Sequence, residues 1–414
     1  MSTELQRIME QEKSFLISTY ERFPVLFERG EGVYLYDSAG NKYLDFLSGI
    51  GVNALGHAHA AVIKTIETQA SQLIHISNLF FHRYQAELAS VLTQLSGLDR
   101  AFFCNSGTEA WEGALKLARA YSRLNNGENT LRTTFLVMEN SFHGRTFGSL
   151  ATTGQKKYQD PFAPLVPGVR FARFNDVRDL KEEFDDSVCA IGLETIQGEG
   201  GVQPVSDEFL TAARDLCDEH GALLMLDEIQ CGLGRTGDYF AFQSYGVTPD
   251  IVTVAKPLAA GLPLGAILAR EDVAQAFHPG MHGTTFGGGP LACAVALTFL
   301  QILQQDGFLA HVAETGAYFH EQLNALRAKH HAIVCVRGKG LMVAAELASA
   351  EQAKQVVKEM LARHVIINRT HETVLRFLPP YTVNKMHVDE VVGALDAVLS
   401  ACSAPEAQMT TCAD

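Results

Sequence analysis

No stretch of this chain approaches the ~18 uninterrupted apolar residues that span a membrane. The opening residues, Met1 to Lys13, are polar and charged and lack the apolar core of a secretion signal. Membrane insertion and secretion are therefore not expected, and a cytoplasmic location is. Basic runs are also missing: 33 Lys and Arg stand against 47 Asp and Glu, a formal net charge of -14. An acidic surface repels nucleic acid and anionic lipid, so neither is expected as a partner, and solubility is the simpler meaning of the charge. Of the eight cysteines, none forms a Cys-x-x-Cys pair, and most sit among apolar residues, as in Val188-Cys189-Ala190-Ile191. Buried free thiols in a reducing compartment explain them. The fifteen histidines lack ligand spacing. His57 and His59 are close but lie on a Gly-rich loop with no further ligand nearby, so no metal is expected. No internal repeat is visible.

What is present is ordinary globular material. With 414 residues, 47% of them hydrophobic, the chain can bury a large core and divide into two or more units. Residues 1–60 read as a helix followed by short strands. The alternation in Gly32-Val33-Tyr34-Leu35-Tyr36-Asp37, the turn Ser38-Ala39-Gly40-Asn41 and then Lys42-Tyr43-Leu44-Asp45-Phe46 predict a hairpin. Val62, Ile66, Ala70 and Leu73 carry helical spacing. From about 100 to 275, short apolar runs alternate with amphipathic stretches. The runs are 135–138, 188–193, 222–226, 251–254 and 264–268, and the clearest helix is Asp207 to His220. That pattern predicts βαβ units and a mostly parallel sheet covered by helices. A long helix is expected from about 290 through Leu303. The last hundred residues mix helices (Val312 to His330, Ala350 to His364) with strands (Gly340 to Leu347, Thr373 to Phe377), an α+β pattern. The expected division is an N-terminal segment 1–60 packing with the smaller unit, a large unit 61–305, a small unit 306–400 and a frayed tail 401–414.

Three of the apolar runs end in charge: Leu193 is followed by Glu194, Leu226 by Asp227-Glu228, and Val254-Ala255 by Lys256. In open α/β sheets ligands bind beyond the carboxyl ends of the strands. From placement alone, a structural ion pair would explain these charges equally well. The apolar, Pro- and Gly-bearing surroundings of Lys256 disfavour its ammonium, and a neutral amine is what Schiff-base chemistry requires. A carboxylate such as Asp227, set near a pyridine nitrogen, keeps that nitrogen protonated. Gln230 lies three residues on, within reach of a phenolic oxygen of the same ring. Ser106-Gly107-Thr108 precedes the helical run Trp111 to Ala120, where free N–H groups bind anions; alone it reads as a plain helix cap. Phe142-His143-Gly144-Arg145 offers an aromatic face and a guanidinium, although alone it reads as a packed Phe beside a surface Arg.

One motif points elsewhere. Gly232-Leu233-Gly234-Arg235-Thr236-Gly237 fits Gly-x-Gly-x-x-Gly, with Asp250 further on, and would mark a dinucleotide site in a dehydrogenase. Such a fingerprint should open directly into a helix, whereas Asp238-Tyr239-Phe240-Ala241-Phe242 follows here.

Taken in order, these motifs resemble the class III (subgroup II) aminotransferases, pyridoxal 5'-phosphate enzymes of fold type I. The resemblance covers the chain from about Phe23 to Leu399. Within that class the chain looks most like the acetylornithine aminotransferases of arginine biosynthesis, on Arg29-Gly30-Glu31-Gly32, Val52-Asn53-Ala54-Leu55-Gly56-His57, Ser141-Phe142-His143-Gly144-Arg145-Thr146 and Gln197-Gly198-Glu199-Gly200-Gly201. The resemblance implies that Lys256 is the Schiff-base lysine, Asp227 the partner of the pyridine nitrogen and Gln230 the neighbour of the ring oxygen. Ser106, Gly107 and Thr108 match the phosphate-binding turn, and Phe142 the stacking ring. Thr285 matches a threonine that reaches the phosphate from the other subunit, implying a homodimer with shared active sites. Thr284 stands near the acetylated substrate, Arg145 matches the clamp for its carboxylate, and Arg376 takes the α-carboxylate of glutamate. Glu199 matches the residue that masks Arg376 while the other substrate is bound. The implied reaction moves the terminal amine of N2-acetylornithine to 2-oxoglutarate. Ornithine, succinylornithine or 4-aminobutyrate are the alternative donors. Gly289, where Asn is common, and Pro257 with Ala259-Ala260 depart from the family pattern without removing a catalytic group.

Overall fold

The structure is a computed structural model that describes residues 3–403. The helix Thr3–Phe15 buries none of its residues. Strands β1 (Phe27–Glu31), β2 (Tyr34–Asp37) and β3 (Lys42–Asp45) follow as an antiparallel meander. The predicted hairpin is β2–β3. Asp37 closes its turn by accepting the Ala39 and Asn41 N–H groups at 2.9 and 2.8 Å. β3 also pairs in parallel with Val365–Ile366, so the start of the chain is tied to its last third.

The helix expected to include Leu73 runs only over Ala60–Ala70. The Ser71 hydroxyl donates to the Thr68 carbonyl at 2.8 Å, a local bond that competes with continued helix, and Leu73 lies beyond the end.

The centre is a seven-stranded sheet of β4 (Arg100–Cys104), β5 (Thr134–Met138), β6 (Val169–Ala172), β7 (Val188–Glu194), β8 (Leu223–Asp227), β9 (Ile251–Val254) and β10 (Gly265–Ala269). Its order is β4-β10-β9-β8-β7-β5-β6. β7, β8 and β9 are buried along their whole length, which is why they read as apolar runs with no alternation. β4 and β6 form the two edges; each carries an arginine, and neither stood out in the sequence. All strands point one way except β10, which is antiparallel to both neighbours. The reason is length. Residues 255–264 alone join β9 to β10, fewer than the dozen or so a parallel crossover needs. Lys256 sits at the start of that short return.

A second, antiparallel sheet follows near the end of the chain: β11 (Ile333–Lys339), β12 (Met342–Leu347), β13 (Asn368–Thr370) and β14 (Val374–Phe377), in the order β11-β12-β14-β13. Helices Phe308–Lys329, Ala350–Ala362 and Lys385–Ser403 accompany it. The last of these continues to Ser403, past the point where a frayed tail was expected, because Leu395, Val398 and Leu399 are buried and hold its final turns. The rest of that expected tail lies outside the described residues. Helix Pro290–Leu303 is buried on most sides, packed against helices Ala60–Ala70 and Arg83–Ser96. Among the described residues no single helix is long and apolar enough to cross a membrane. The described cysteines are all unpaired, and Cys104, Cys189, Cys217, Cys231 and Cys293 are buried.

Candidate active site

The carboxyl ends of β5, β7, β8 and β9 converge on one cavity of about 270 Å³. Its walls bring together Gly107, Thr108, Phe142, Arg145, Glu199, Asp227, Gln230 and Lys256, eight of the residues singled out in the sequence. They come from five separate stretches of chain, each delivered by a strand end or a helix start, as expected for the crevice of an α/β sheet.

Lys256 follows β9 and has no side-chain hydrogen bond among the described residues. Burial lowers its ammonium below the usual lysine range, against the opposing pull of Glu199 and Asp227. Asp227 ends the neighbouring strand β8 and is 4% exposed. One of its oxygens accepts from the Ile229 N–H at 3.1 Å, and the other lies 2.7 Å from Nδ1 of His143. His143 in turn stacks on the indole of Trp111, centroids 3.9 Å apart and 9° from parallel.

The anion end is the start of helix Gly107–Asn126. Ser106 is its cap: its hydroxyl accepts from the Glu109 N–H at 3.3 Å, and it does not line the cavity. Gly107 and Thr108 do. The Thr108 hydroxyl is held by those of Thr146 and Ser149 at 2.9 and 3.0 Å. A β-carbon at Gly107 would come within 2.8 Å of Ile229, and one at Gly144 within 2.2 Å of the Thr108 hydroxyl. Both glycines therefore keep this end of the cavity open.

The two arginines differ in state. Arg145 packs over the ring of Tyr158, 3.9 Å from its centroid, and has no carboxylate partner among the described residues. Arg376, on β14, is 1% exposed and bonded to Glu199 at 2.5 Å, to Gln230 at 3.2 Å and to Asn368 at 3.2 Å. Burial pushes Glu199 up, but the Arg376 guanidinium holds it below the usual carboxylate range. Gln230 is thus engaged by Arg376 as well as facing the cavity.

Thr284 and Thr285 are not brought into this cavity. The Thr284 hydroxyl accepts from Asn105 at 3.0 Å and from the Gly287 N–H at 3.2 Å, while Thr285 is exposed. Sequence reasoning passed over His143, Ile229 and Glu194 as site residues. His143 was carried inside a quoted motif; the available signal was that a buried Asp at a strand end needs a partner.

The Gly-x-Gly-x-x-Gly segment does not form a dinucleotide loop. Gly234 and Gly237, at φ +94° and +93°, let the backbone pass close to Leu303 and Ala313. Arg235 between them is fully buried and donates to the carbonyls of Leu341 and Pro379. Asp250 is buried against Arg214 and Arg270. Among the described residues no group of three or more His, Cys, Asp or Glu is placed to hold a metal.

Known proteins resemble this chain over nearly its whole length. An acetylornithine aminotransferase from Caldanaerobacter subterraneus subsp. tengcongensis is 48% identical over 389 residues, 94% of this chain and 98% of the relative. One from Methanocaldococcus jannaschii is 48% identical over 393 residues, 95% and 98% of the two chains. A solved ornithine aminotransferase from Toxoplasma gondii, reported with partial occupancy of PLP at its active site, superposes with TM-score 0.91 at 32% identity, covering 96% of this chain and 94% of that one. The fold is that of the fold-type-I PLP-dependent transferases. The family Aminotransferase class-III matches residues 17–399, and the chain belongs to the class-III aminotransferases.

Proposed function

We propose that this enzyme uses pyridoxal 5'-phosphate to move the terminal amino group of N2-acetylornithine to 2-oxoglutarate, giving N-acetylglutamate 5-semialdehyde and glutamate. One observation carries the substrate reading: of two arginines at the site, Arg145 lacks a carboxylate and Arg376 already has one in Glu199. A donor whose carboxylate lies far from the reacting amine finds one free guanidinium, at Arg145, and no exposed positive charge at Arg376. Glutamate carries an α-carboxylate beside its reacting carbon and takes Arg376 when Glu199 withdraws.

The residues present fit the cofactor. A phosphate suits the N–H groups of Gly107 and Thr108 at the start of a 20-residue helix. Phe142 supplies an aromatic surface for a flat ring and Ile229 an apolar one. Asp227 supplies the negative charge for a protonated ring nitrogen and Gln230 a polar neighbour for the ring oxygen. Lys256 supplies the amine that holds the cofactor covalently. When bound, the cofactor supplies a carbonyl for the amine and an electron-withdrawing ring that stabilises negative charge on the substrate carbon.

The chain's own groups do the rest. Burial lowers the pKa of Lys256, which favours the neutral amine that the chemistry requires. With the cofactor bound, Nζ of Lys256 would take a proton from the substrate carbon as general base and deliver it to the cofactor carbon as general acid. Arg145 orients the donor, and Arg376 with Glu199 sorts it from glutamate. We read Thr285 as a phosphate ligand for the partner subunit of a homodimer, with Thr284 near the acetylated substrate. We also read residues 61–305 as the cofactor-carrying unit and 306–400 as a smaller one, with 1–60 against it; the β3 pairing with Val365–Ile366 supports that grouping.

Borohydride reduction followed by peptide mass analysis tests the cofactor role. The adduct is expected on Lys256, and an adduct elsewhere overturns the assignment. Kinetics on a panel of amines test the donor. Acetylornithine is expected to be preferred, and a preference for 4-aminobutyrate or ornithine overturns that choice.

A further inference from the structure

Glu194 ends β7 inside the cavity, and the reaction as derived gives it no task. It is 6% exposed, and its two oxygens face different stretches of chain. One accepts from the Phe142 N–H at 3.0 Å and the other from the Gly198 N–H at 3.1 Å. The first belongs to the loop that carries Phe142 and Arg145, the second to the turn that carries Glu199.

The same two stretches touch again further out. Gln197 donates to the Glu139 carbonyl at 2.8 Å, and a β-carbon on Gly200 would come within 2.8 Å of the Asn140 carbonyl. The turn has no slack on its other side, because a β-carbon on Gly198 would lie 2.2 Å from Gln230. The turn's far end is fixed too, since Thr370 donates to the Glu199 carbonyl at 2.9 Å.

An electrostatic role for Glu194 fits less well. Burial, and then the charge of Asp227 directly opposite on β8, push its carboxyl well above the usual range, toward the neutral form. A neutral carboxyl still accepts both N–H groups but offers little field to Lys256 or to a ring nitrogen.

We propose that Glu194 is a positioning residue that fastens the Phe142–Arg145 loop to the Gly198–Glu199 turn, so that the free guanidinium and the removable carboxylate are set as one unit and substrate choice depends on both. The proposal rests on the two-substrate reading given above. Loosening the clip frees the turn, weakens the hold of Glu199 on Arg376 and favours glutamate over the donor with a distal carboxylate.

The test compares Glu194→Ala and Glu194→Gln with the parent. Glutamine keeps the shape but leaves one of the two N–H groups without an acceptor. Hydrogen exchange on the cofactor-free full chain should quicken at both the 139–145 and 197–200 segments in Glu194→Ala. In the holoenzyme, single-turnover half-reactions should show the kcat/KM ratio of glutamate to acetylornithine rising by about tenfold, the effect of one lost hydrogen bond. Glu194→Gln should lie between. Equal losses in both half-reactions, a ratio that stays or falls, or faster exchange in only one segment would overturn the proposal. The exchange arm needs neither cofactor nor substrate. If the aminotransferase reading itself fails, the parent enzyme turns over neither substrate while the exchange result still stands.

Discussion

Nδ1 of His143 lies 2.7 Å from Oδ2 of Asp227, with both side chains almost wholly buried. The pair joins two strand-end loops 84 residues apart in the chain, and the Trp111 indole lies flat against the imidazole. Trp111 is itself pinned, its N–H donating to the Thr152 hydroxyl at 2.8 Å. Asp227 is thus oriented by a ring that is itself stacked against a pinned indole. His143→Phe keeps the stack but leaves a buried carboxylate oxygen without its partner. We expect a stability loss of about 1–3 kcal/mol in urea unfolding of the cofactor-free chain, together with weaker pyridoxal phosphate binding. Because the chain has a single tryptophan, its fluorescence reports this contact directly. Unchanged stability and cofactor affinity would show that His143 only fills space.

The unequal states of the two arginines predict opposite defects. Arg145→Lys replaces a planar fork by a point charge. It should raise KM for acetylornithine by about ten- to a hundredfold, the range for charge-assisted hydrogen bonds, and should impair the glutamate half-reaction less, because glutamate keeps its α-carboxylate on Arg376. Arg376→Lys should do the reverse. Separate half-reaction kinetics read both, and parallel losses in the two variants would contradict the division of labour.

Glu228 makes stability depend on pH. It follows Asp227, is buried, and accepts from the N–H groups of Ala241 and Phe242, both at 2.7 Å. Burial pushes its carboxyl up from 4.5 to about 7. Between those values the folded chain keeps a proton that the unfolded chain has released. The resulting stability is therefore full below pH 4.5 and is lost as pH rises through 7. The loss is roughly 3 kcal/mol. Unfolding free energies from pH 5 to pH 8 should fall less steeply in Glu228→Gln than in the parent. Equal slopes would mean that Glu228 stays ionised throughout.

Much of the site was legible because β7, β8 and β9 are buried on both faces, so any charge at their ends stands out against an apolar run. Asp227 and Lys256 were found in this way, and Glu194 stood out as a strand-end charge without being assigned to the site. The edge strands β4 and β6 were not, since each carries an arginine. Pairings made across long separations left no local trace. Glu199 and Arg376 lie 177 residues apart, and the resemblance alone connected them. The Gly-x-Gly-x-x-Gly segment was ambiguous for a related reason, and the absence of a helix directly after it spoke against a dinucleotide site. Its glycines serve close approach to the helices at Leu303 and Ala313, a need that the sequence expresses in the same letters as a phosphate loop.

Thr285 is exposed and does not line the cavity of its own chain, and its surroundings bear on our reading of a homodimer. Leu79, Phe80 and Phe81 are 85%, 63% and 104% exposed, and Phe286 is 67% exposed. Asn78 joins the two segments by donating to the carbonyls of Thr284 and Gly287 at 3.2 and 3.1 Å. Exposed apolar side chains thus lie on both of the segments that Asn78 joins, one of which carries Thr285. Apolar surface of this kind marks an interface, and a two-fold dimer would carry each Thr285 toward the other chain. Sedimentation should therefore give twice the 45.1 kDa chain mass, and Phe81→Asp should give the single-chain mass with little activity. A sharper result comes from mixing. Lys256→Ala and Thr285→Asp should each be weak or inactive, the second because its carboxylate repels phosphate. Refolded together they should regain activity, because one site of each mixed dimer takes Lys256 from one chain and Thr285 from the other. Dimers that mix but recover nothing would place both residues in the same chain's site, and a fully active Thr285→Asp would leave Thr285 with no part in it.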